Sequence, residues 1–125
     1  MTTGGRVTPE LVEAYLAHAR TRAEEYSWAF DKVVDLMRKS SSDGLELVSE
    51  LLARPLESEV LFSVAAGPLE DLLVWHGPEV VDAVLELARR DGQARKALLQ
   101  GVWRSRIRRD VQEKIAAFAE RVRPR

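Results

Sequence analysis

Two Gly-Pro dipeptides, at 67–68 and 77–78, constrain the fold of this chain more than any other feature. Pro68 suits the first position of a helix because its fixed φ costs nothing there, and Gly77 suits the left-handed residue that ends a helix. Between them, four side chains fall at i, i+3, i+4 and i+7 on one helical face: Leu69, Leu72, Leu73 and His76. We therefore expect a short helix from Pro68 to Gly77 at the centre of the core.

Amphipathic helical patterns fill most of the remaining chain. Thr8, Pro9 and Glu10 are typical of a helix start, with a capping hydroxyl, a proline in the first turn and an acid near the positive end of the helix dipole. Apolar residues then recur at three- and four-residue steps as far as Lys39, and so long a pattern predicts a break near residues 26–28. Residues 40–44 are predicted to form a loop. Further helices follow, and the last is predicted to begin at Asp110.

The fold class follows from this helical periodicity. No segment alternates apolar and polar residues for long enough to predict a strand. Short connections favour antiparallel neighbours, so we expect an all-α fold of about seven or eight helices, either stacked helical hairpins or a compact bundle. Residues 1–7 are predicted to be a disordered tail, and residues 8–125 a single helical domain.

Composition limits the classes of function. The chain has 125 residues and no cysteine, so thiol nucleophiles and thiolate metal sites are excluded, and a reducing compartment such as the cytoplasm is expected. The two histidines have no metal-binding spacing, so we expect no metal and no cofactor. The N-terminus lacks the apolar core of a signal peptide, and no uncharged stretch is long enough to span a bilayer, so no membrane partner is expected.

Charge is unevenly distributed along the chain. Residues 1–88 carry 7 basic and 16 acidic side chains, whereas residues 89–125 carry 12 basic and 4 acidic ones. This asymmetry indicates either a charged binding surface or two parts of one fold that attract each other, and both interpretations stay open.

The string Ala-Ala-Gly-Pro-Leu-Glu-Asp-Leu-Leu at 65–73, with His76-Gly77 and Val102-Trp103-Arg104, resembles a family of small bacterial helical domains of unknown function. The resemblance extends over about residues 26–103. It implies helical hairpins stacked in a HEAT-like arrangement, with Gly67, Pro68, Glu70, Asp71, His76 and Gly77 as a structural signature. It implies no activity, and the arginine-rich segment 104–109 is not part of the family pattern.

Structural roles are favoured for the polar residues of this signature. Glu70 and Asp71 would lie in the first turn of a helix that begins at Pro68, where acids stabilise free amides, or would pair with the arginines of segment 104–109. Catalysis by this carboxylate pair is the minor alternative. His76 lies near a predicted helix end, where its ring nitrogens can bond free carbonyls.

Two tryptophans share helical faces with polar residues. Trp28 shares its face with Glu24, Asp31, Lys32 and Asp35, and Trp75 shares its face with Asp71. Such a tryptophan either packs under a neighbouring helix, which is the favoured interpretation for Trp28, or is an exposed anchor for a partner. The candidate partner-binding residues are therefore Trp28, Asp31, Asp35 and Trp75.

The segment 103–109 combines an aromatic ring with four arginines: Trp103, Arg104, Arg106, Arg108 and Arg109. These residue types stack on bases and bind phosphates, so the segment is the alternative candidate for nucleic-acid binding.

The leading hypothesis is a non-enzymatic protein-binding module, such as a bacterial immunity or adaptor protein that docks a basic partner on an acidic helical face. The sequence has neither a nucleophile with a matched base nor a phosphate loop, so an enzyme is not favoured. Oligomeric state stays open.

Overall fold

A computed structural model describes residues 6–123, and all regular structure in that range is helical. The α-helices are α1 (Pro9–Thr21), α2 (Ser27–Lys39), α3 (Ser41–Leu52), α4 (Ser58–Val64), α5 (Glu70–Arg90), α6 (Gly92–Lys96) and α7 (Arg109–Arg121). The prediction of an all-α fold is confirmed, whereas the HEAT-like arrangement stays a prediction. Residues 1–5 of the predicted tail lie outside the described residues; Arg6 pairs with Asp43, and Val7 packs against the core.

The chain breaks between α1 and α2 as the sequence predicts, although the first helix ends earlier. The hydroxyl of Thr8 accepts a hydrogen bond from the N–H of Leu11 at 3.1 Å, and α1 begins at Pro9. Arg22 ends this helix with a left-handed backbone, φ 59°. A 3-10 turn, Glu24–Tyr26, then leads into α2 at Ser27.

The predicted loop at residues 40–44 is wrong, because only Ser40 leaves the helical conformation. Its hydroxyl accepts a hydrogen bond from the N–H of Asp43 at 3.0 Å, so α3 begins at Ser41. One extended residue turns the chain because its side chain also satisfies a free amide of the next helix. Asp91 does the same before α6, accepting from the N–H of Ala94 at 3.3 Å.

The predicted helix start at Gly67-Pro68 is also wrong. The chain passes from α4 through a π-helical turn, Ala65–Leu69, directly into α5. In an α-helical register Pro68 would have to donate to the carbonyl of Val64, but proline has no N–H and its ring would contact that oxygen. The wider turn avoids this contact, and the N–H of Glu70 donates to the carbonyl of Ala65.

The predicted helix end at Gly77 is confirmed in part. His76, the residue before it, has a non-helical backbone with φ −135° and ψ 23°, so α5 consists of two helical segments that meet at a kink there. Gly77 does not take the predicted left-handed conformation, but a Cβ atom there would lie 2.9 Å from Cγ2 of Val111 in α7, so packing favours glycine. The second Gly-Pro dipeptide therefore marks the junction of the two segments.

Helix α5 lies at the centre of the core, as predicted. It packs against α2, α3, α6 and α7, and the side chains of Leu72 and Leu73 are fully buried. A second π-helical turn, Ala97–Gly101, follows α6 and packs against the first. Trp28 on α2 and Trp103 in the segment between Gly101 and α7 lie at the surface, whereas Val102 and Ile107 of that segment are buried.

Candidate functional site

Trp28 lies at the surface, so the favoured interpretation that it packs under a neighbouring helix is wrong. Half of its side chain is exposed, at 50 %. The buried residues of α2 are Ala29, Val33, Leu36 and Met37, and Trp28 lies well away from them around the helix axis. No helix within residues 6–123 buries this side chain. The pattern of a single helix cannot show whether a neighbouring helix will cover it.

We call Trp28, Asp31 and Asp35, together with Glu24 in the 3-10 turn that precedes the helix, the acidic face of α2. All four side chains are exposed. Glu24 and Asp31 form no ion pair with any residue in the range 6–123, whereas Asp35 pairs with Lys39 at 3.1 Å. Lys32 lies on the flank of this face. The face therefore combines an exposed indole with two carboxylates that are not neutralised by neighbours.

Trp75 is exposed to a similar extent, at 51 %, but lies against the other end of α2. The guanidinium carbon of Arg38 lies 5.3 Å from the centre of the Trp75 ring, which is a cation–π contact. Trp28 lies ten residues before Arg38, about 15 Å along the helix at 1.5 Å per residue. The structure therefore keeps Trp28, Asp31 and Asp35 together and places Trp75 apart from them.

Glu70 is buried and bonds the arginine-rich segment. Its Oε1 accepts a hydrogen bond from the backbone N–H of Trp103 at 2.8 Å, and its Oε2 lies 3.1 Å from the guanidinium of Arg106. The predicted ion pair with this segment is thus confirmed for Glu70. Helix α5 begins at Glu70 itself, so Glu70 lies at its first position.

Asp71 lies in the first turn of α5, as predicted, and of the two expected roles it does not take the ion pair, since it forms none with the described residues. It is half-buried, and burial raises the pKa of its carboxyl group above the ordinary value, an effect that Arg106 and Arg38 partly offset. Neighbours in sequence point about 100° apart on a helix, so only one of the two acids can face Arg106 closely.

His76 bonds a helix end, although not its own. Its Nε2 lies 2.8 Å from the carbonyl oxygen of Met37 in the last turn of α2, and a carbonyl can only accept, so this nitrogen donates. Its Nδ1 lies 3.7 Å from the carboxylate of Glu79. The histidine thus links the kink in α5 to the end of α2 by a hydrogen bond. The sequence predicts such a bond to a free carbonyl at a helix end, but the carbonyl belongs to α2 and not to the helix of His76 itself.

Segment 103–109 carries the most exposed indole of the chain, Trp103, at 69 %. Two of its four arginines are held by carboxylates: Arg106 by Glu70, and Arg108 by Asp110 through two contacts of 3.2 Å. Arg104 and Arg109 form no ion pair within residues 6–123. Only part of the segment is therefore available to phosphate groups.

Sequence reasoning missed Arg38 and Gln93. Arg38 is one charged residue among several on an exposed face, and only the packing of α2 against α5 places it on Trp75. Gln93 bonds three backbone groups between α3 and α4, namely the N–H of Leu56 and the carbonyls of Leu52 and Arg54. No local signal identifies a glutamine with distant backbone partners.

Across residues 6–123, no helix combines the length and the apolar character that a bilayer span requires. In the same range, histidine and acidic side chains do not gather into a cluster of three or more suited to a metal ion.

The fold and surface define an all-helical domain with exposed tryptophans on charged surfaces. Residues 17–122 match the Family of unknown function (DUF6869), and the chain belongs to that family. The family resemblance is confirmed to this extent, while the signature motif and the bacterial origin stay predictions. No curated protein and no solved structure matches the chain.

Proposed function

We propose that the protein is a non-enzymatic binding module that docks a basic protein partner on the acidic face of α2. The observation that carries this proposal is the half-exposed indole of Trp28 beside Asp31, a carboxylate without an ion-pair partner in the described range. A tryptophan supplies apolar contact area, and carboxylates around it attract a positively charged partner and orient its approach.

The internal ion pairs support the choice of this face. Several acids elsewhere on the first three helices are already paired, Glu13 and Glu50 with Arg54, and Asp43 with Arg6. Their charge is locally neutralised, whereas that of Glu24 and Asp31 is not. An immunity or adaptor protein of bacterial origin in the cytoplasm is the finer form of this proposal, and it rests on the sequence alone.

The test compares which proteins three immobilised forms of the full chain capture from a cell lysate. The first is the wild type, the second replaces Trp28→Ala and Asp31→Asn, and the third is a matched control with Trp103→Ala and Asp82→Asn. We expect the wild type and the control to retain a common set of proteins of high isoelectric point, which increasing salt elutes. Loss of an anchoring tryptophan weakens binding by about 30-fold, so the second form should not retain them.

The proposal is wrong if the second form retains the same proteins as the wild type, or if the retained proteins are acidic. It is also wrong if the control loses them, because the contact would then lie on the surface around Trp103.

A nucleic-acid-associated module is the second candidate, favoured by the exposed ring of Trp103 beside Arg104. Its affinity for single-stranded DNA or RNA should fall steeply with salt and should decrease when Arg104 and Arg109 are replaced by glutamine. Fluorescence anisotropy at low salt measures this, and the absence of binding there would eliminate the candidate.

A further inference from the structure

A cleft of 260 Å³ opens between α1, α2, α4 and the π-helical turn at Ala65–Leu69. Its lining mixes polar and apolar residues, among them Tyr15, His18, Arg22, Phe30, Ser63 and Gly67. A smaller cavity of 60 Å³ adjoins it, shares Tyr15, Phe30 and Gly67, and reaches Asp71. Phe30 follows Trp28 by two residues, about 200° around the axis of α2, so this cleft is separate from the acidic face.

The hydroxyl of Tyr15 is a donor that this cleft offers to a ligand. The residue is 95 % buried, since its relative exposure is 5 %, and its hydroxyl forms no hydrogen bond with any residue in the range 6–123. No fully buried side-chain oxygen or nitrogen in that range lacks a partner, so the hydroxyl itself is accessible to solvent. The oxygen lies on the wall of the cleft, 3.3 Å from where a Cβ of Gly67 would be. A ligand in the cleft can therefore accept a hydrogen bond from it.

Two nitrogen-bearing side chains line the same cleft as this hydroxyl. Arg22 follows the last turn of α1 in a left-handed conformation, and its guanidinium forms no ion pair with the described residues. His18 lies one turn earlier, with its ring 5.6 Å from that of Phe30. A guanidinium donates two parallel hydrogen bonds to a carboxylate, and a phenol donates a further one.

Part of the cleft lining is apolar. The ring of Phe30 and the methyl groups of Ala19 and Ala66 contribute to it, and Gly67 leaves the floor open because it has no side chain. The volume lies just below the range of about 300–1,000 Å³ that drug-sized ligands occupy. A ligand here is therefore small, with a charged head and an apolar body.

We propose that this cleft binds a small carboxylate with an apolar or aromatic body, whose head is held by Arg22 and the hydroxyl of Tyr15 and whose body contacts Phe30. The carboxylate binds at the Arg22 end, because Asp71 lines only the smaller cavity and repels an anion there. The site does not depend on the protein-docking proposal, since the two surfaces share no residue.

Protein-observed NMR of the full chain with three probes tests the site. Phenylacetate carries the expected head, and 2-phenylethylamine and 2-phenylethanol carry the same ring with a cationic or neutral head. We expect phenylacetate alone to bind saturably and to shift the amide resonances of Ala19, Ala66 and Gly67. Arg22→Gln and Tyr15→Phe should each weaken its binding by about tenfold, because each removes a hydrogen bond to a charged group.

Two control variants separate binding from folding. Arg20→Gln removes the neighbouring arginine of α1, which pairs with Glu57 outside this cleft, and should leave phenylacetate affinity within about twofold, since surface ion pairs contribute little. Tyr15→Phe should unfold no more easily than the wild type, because its hydroxyl has no protein partner within residues 6–123. Gly67→Ala narrows the floor and should reduce binding.

The proposal is wrong if phenylacetate does not bind saturably or if the amine or the alcohol binds as tightly. It is also wrong if Arg20→Gln weakens binding as much as Arg22→Gln, because the effect would then reflect overall charge. Unchanged affinity in Tyr15→Phe would remove this hydroxyl from the site and overturn the assignment.

Discussion

The carboxylate of Glu70 accepts a hydrogen bond from the backbone N–H of Trp103 at 2.8 Å. The same carboxylate contacts Arg106, so one buried acid at the start of α5 holds both ends of the short segment before α7. The acidic and basic parts of the chain therefore attract each other inside one fold. Lys114 and Asp82, 3.1 Å apart, form a second such contact at the surface. The internal attraction that the charge asymmetry indicates is thus present for these two pairs.

Replacing Glu70 by alanine should destabilise the fold. The change leaves the N–H of Trp103 without its acceptor and the guanidinium of Arg106 without its counterion, and we expect a loss of about 2–3 kcal/mol in the free energy of unfolding. Urea denaturation followed by circular dichroism measures this loss. Asp82→Ala is the control, because it removes only an exposed ion pair with Lys114. Equal midpoints for the two variants would contradict the prediction.

Gln93 should contribute as much as a core residue does, although it is only half-buried. Its amide accepts from the N–H of Leu56 and donates to the carbonyls of Leu52 and Arg54, so one side chain bonds the connection between α3 and α4. Gln93→Ala should lower the free energy of unfolding by about 2 kcal/mol, because three hydrogen bonds are lost. Gln100→Ala, an exposed glutamine nearby, is the control and should leave the urea midpoint unchanged.

Gly101 and Gly92 should respond in opposite directions to alanine. A Cβ at Gly101 would meet the Cβ of Ala65, where the two π-helical turns pack, whereas nothing lies within 4 Å of a Cβ at Gly92. Gly101→Ala should therefore lose about 1–3 kcal/mol by overpacking. Gly92→Ala should be neutral or gain up to about 1 kcal/mol, because it restricts the unfolded chain. Thermal melting of both variants measures the difference, and a loss at Gly92 would contradict it.

Asp71→Asn should stabilise the protein at neutral pH. Burial raises the pKa of the Asp71 carboxyl in the folded state, so the folded protein binds more protons than the unfolded chain near that pKa. Stability from this group is greatest at low pH and decreases as pH rises from the ordinary value through the raised one. The free energy of unfolding of Asp71→Asn minus that of the wild type should therefore increase as pH rises from the ordinary pKa of an aspartate to the raised pKa of Asp71. Above the raised pKa this difference should level off. A difference independent of pH would contradict this account.

The helix start at Thr8 illustrates what the sequence predicts well. It depends on a side chain that bonds an amide three residues away, so local chemistry is sufficient. The Gly67-Pro68 step illustrates what it does not predict. Proline has no N–H to donate, so it fits both at a helix start and inside a wide π-helical turn, and the sequence does not distinguish the two. In this structure the π-helical turn forms, and its Ala65 packs against Gly101.

The candidate sites show the same limit. The acidic face of α2 can be read from helical spacing alone, but whether a neighbouring helix covers Trp28 depends on where α1 and α5 pack. The cleft at Tyr15 is still less predictable, because its walls come from four separate elements and its floor exists only where Gly67 lies in the π-helical turn.

Tyr15 should make the fold sensitive to alkaline pH. Burial, together with the nearby charge of Asp71, raises the pKa of its hydroxyl from 10.0 to about 12, although Arg22 partly offsets this. The unfolded chain loses this proton first, so the free energy of unfolding should decrease as pH rises from about 10 to about 12, by about 3 kcal/mol in total at 1.36 kcal/mol per pKa unit. Tyr15→Phe has no proton to lose and should lack this decrease. Urea denaturation of both proteins at a series of pH values measures it, and parallel curves for the two would show that the hydroxyl is not buried against charge in this way.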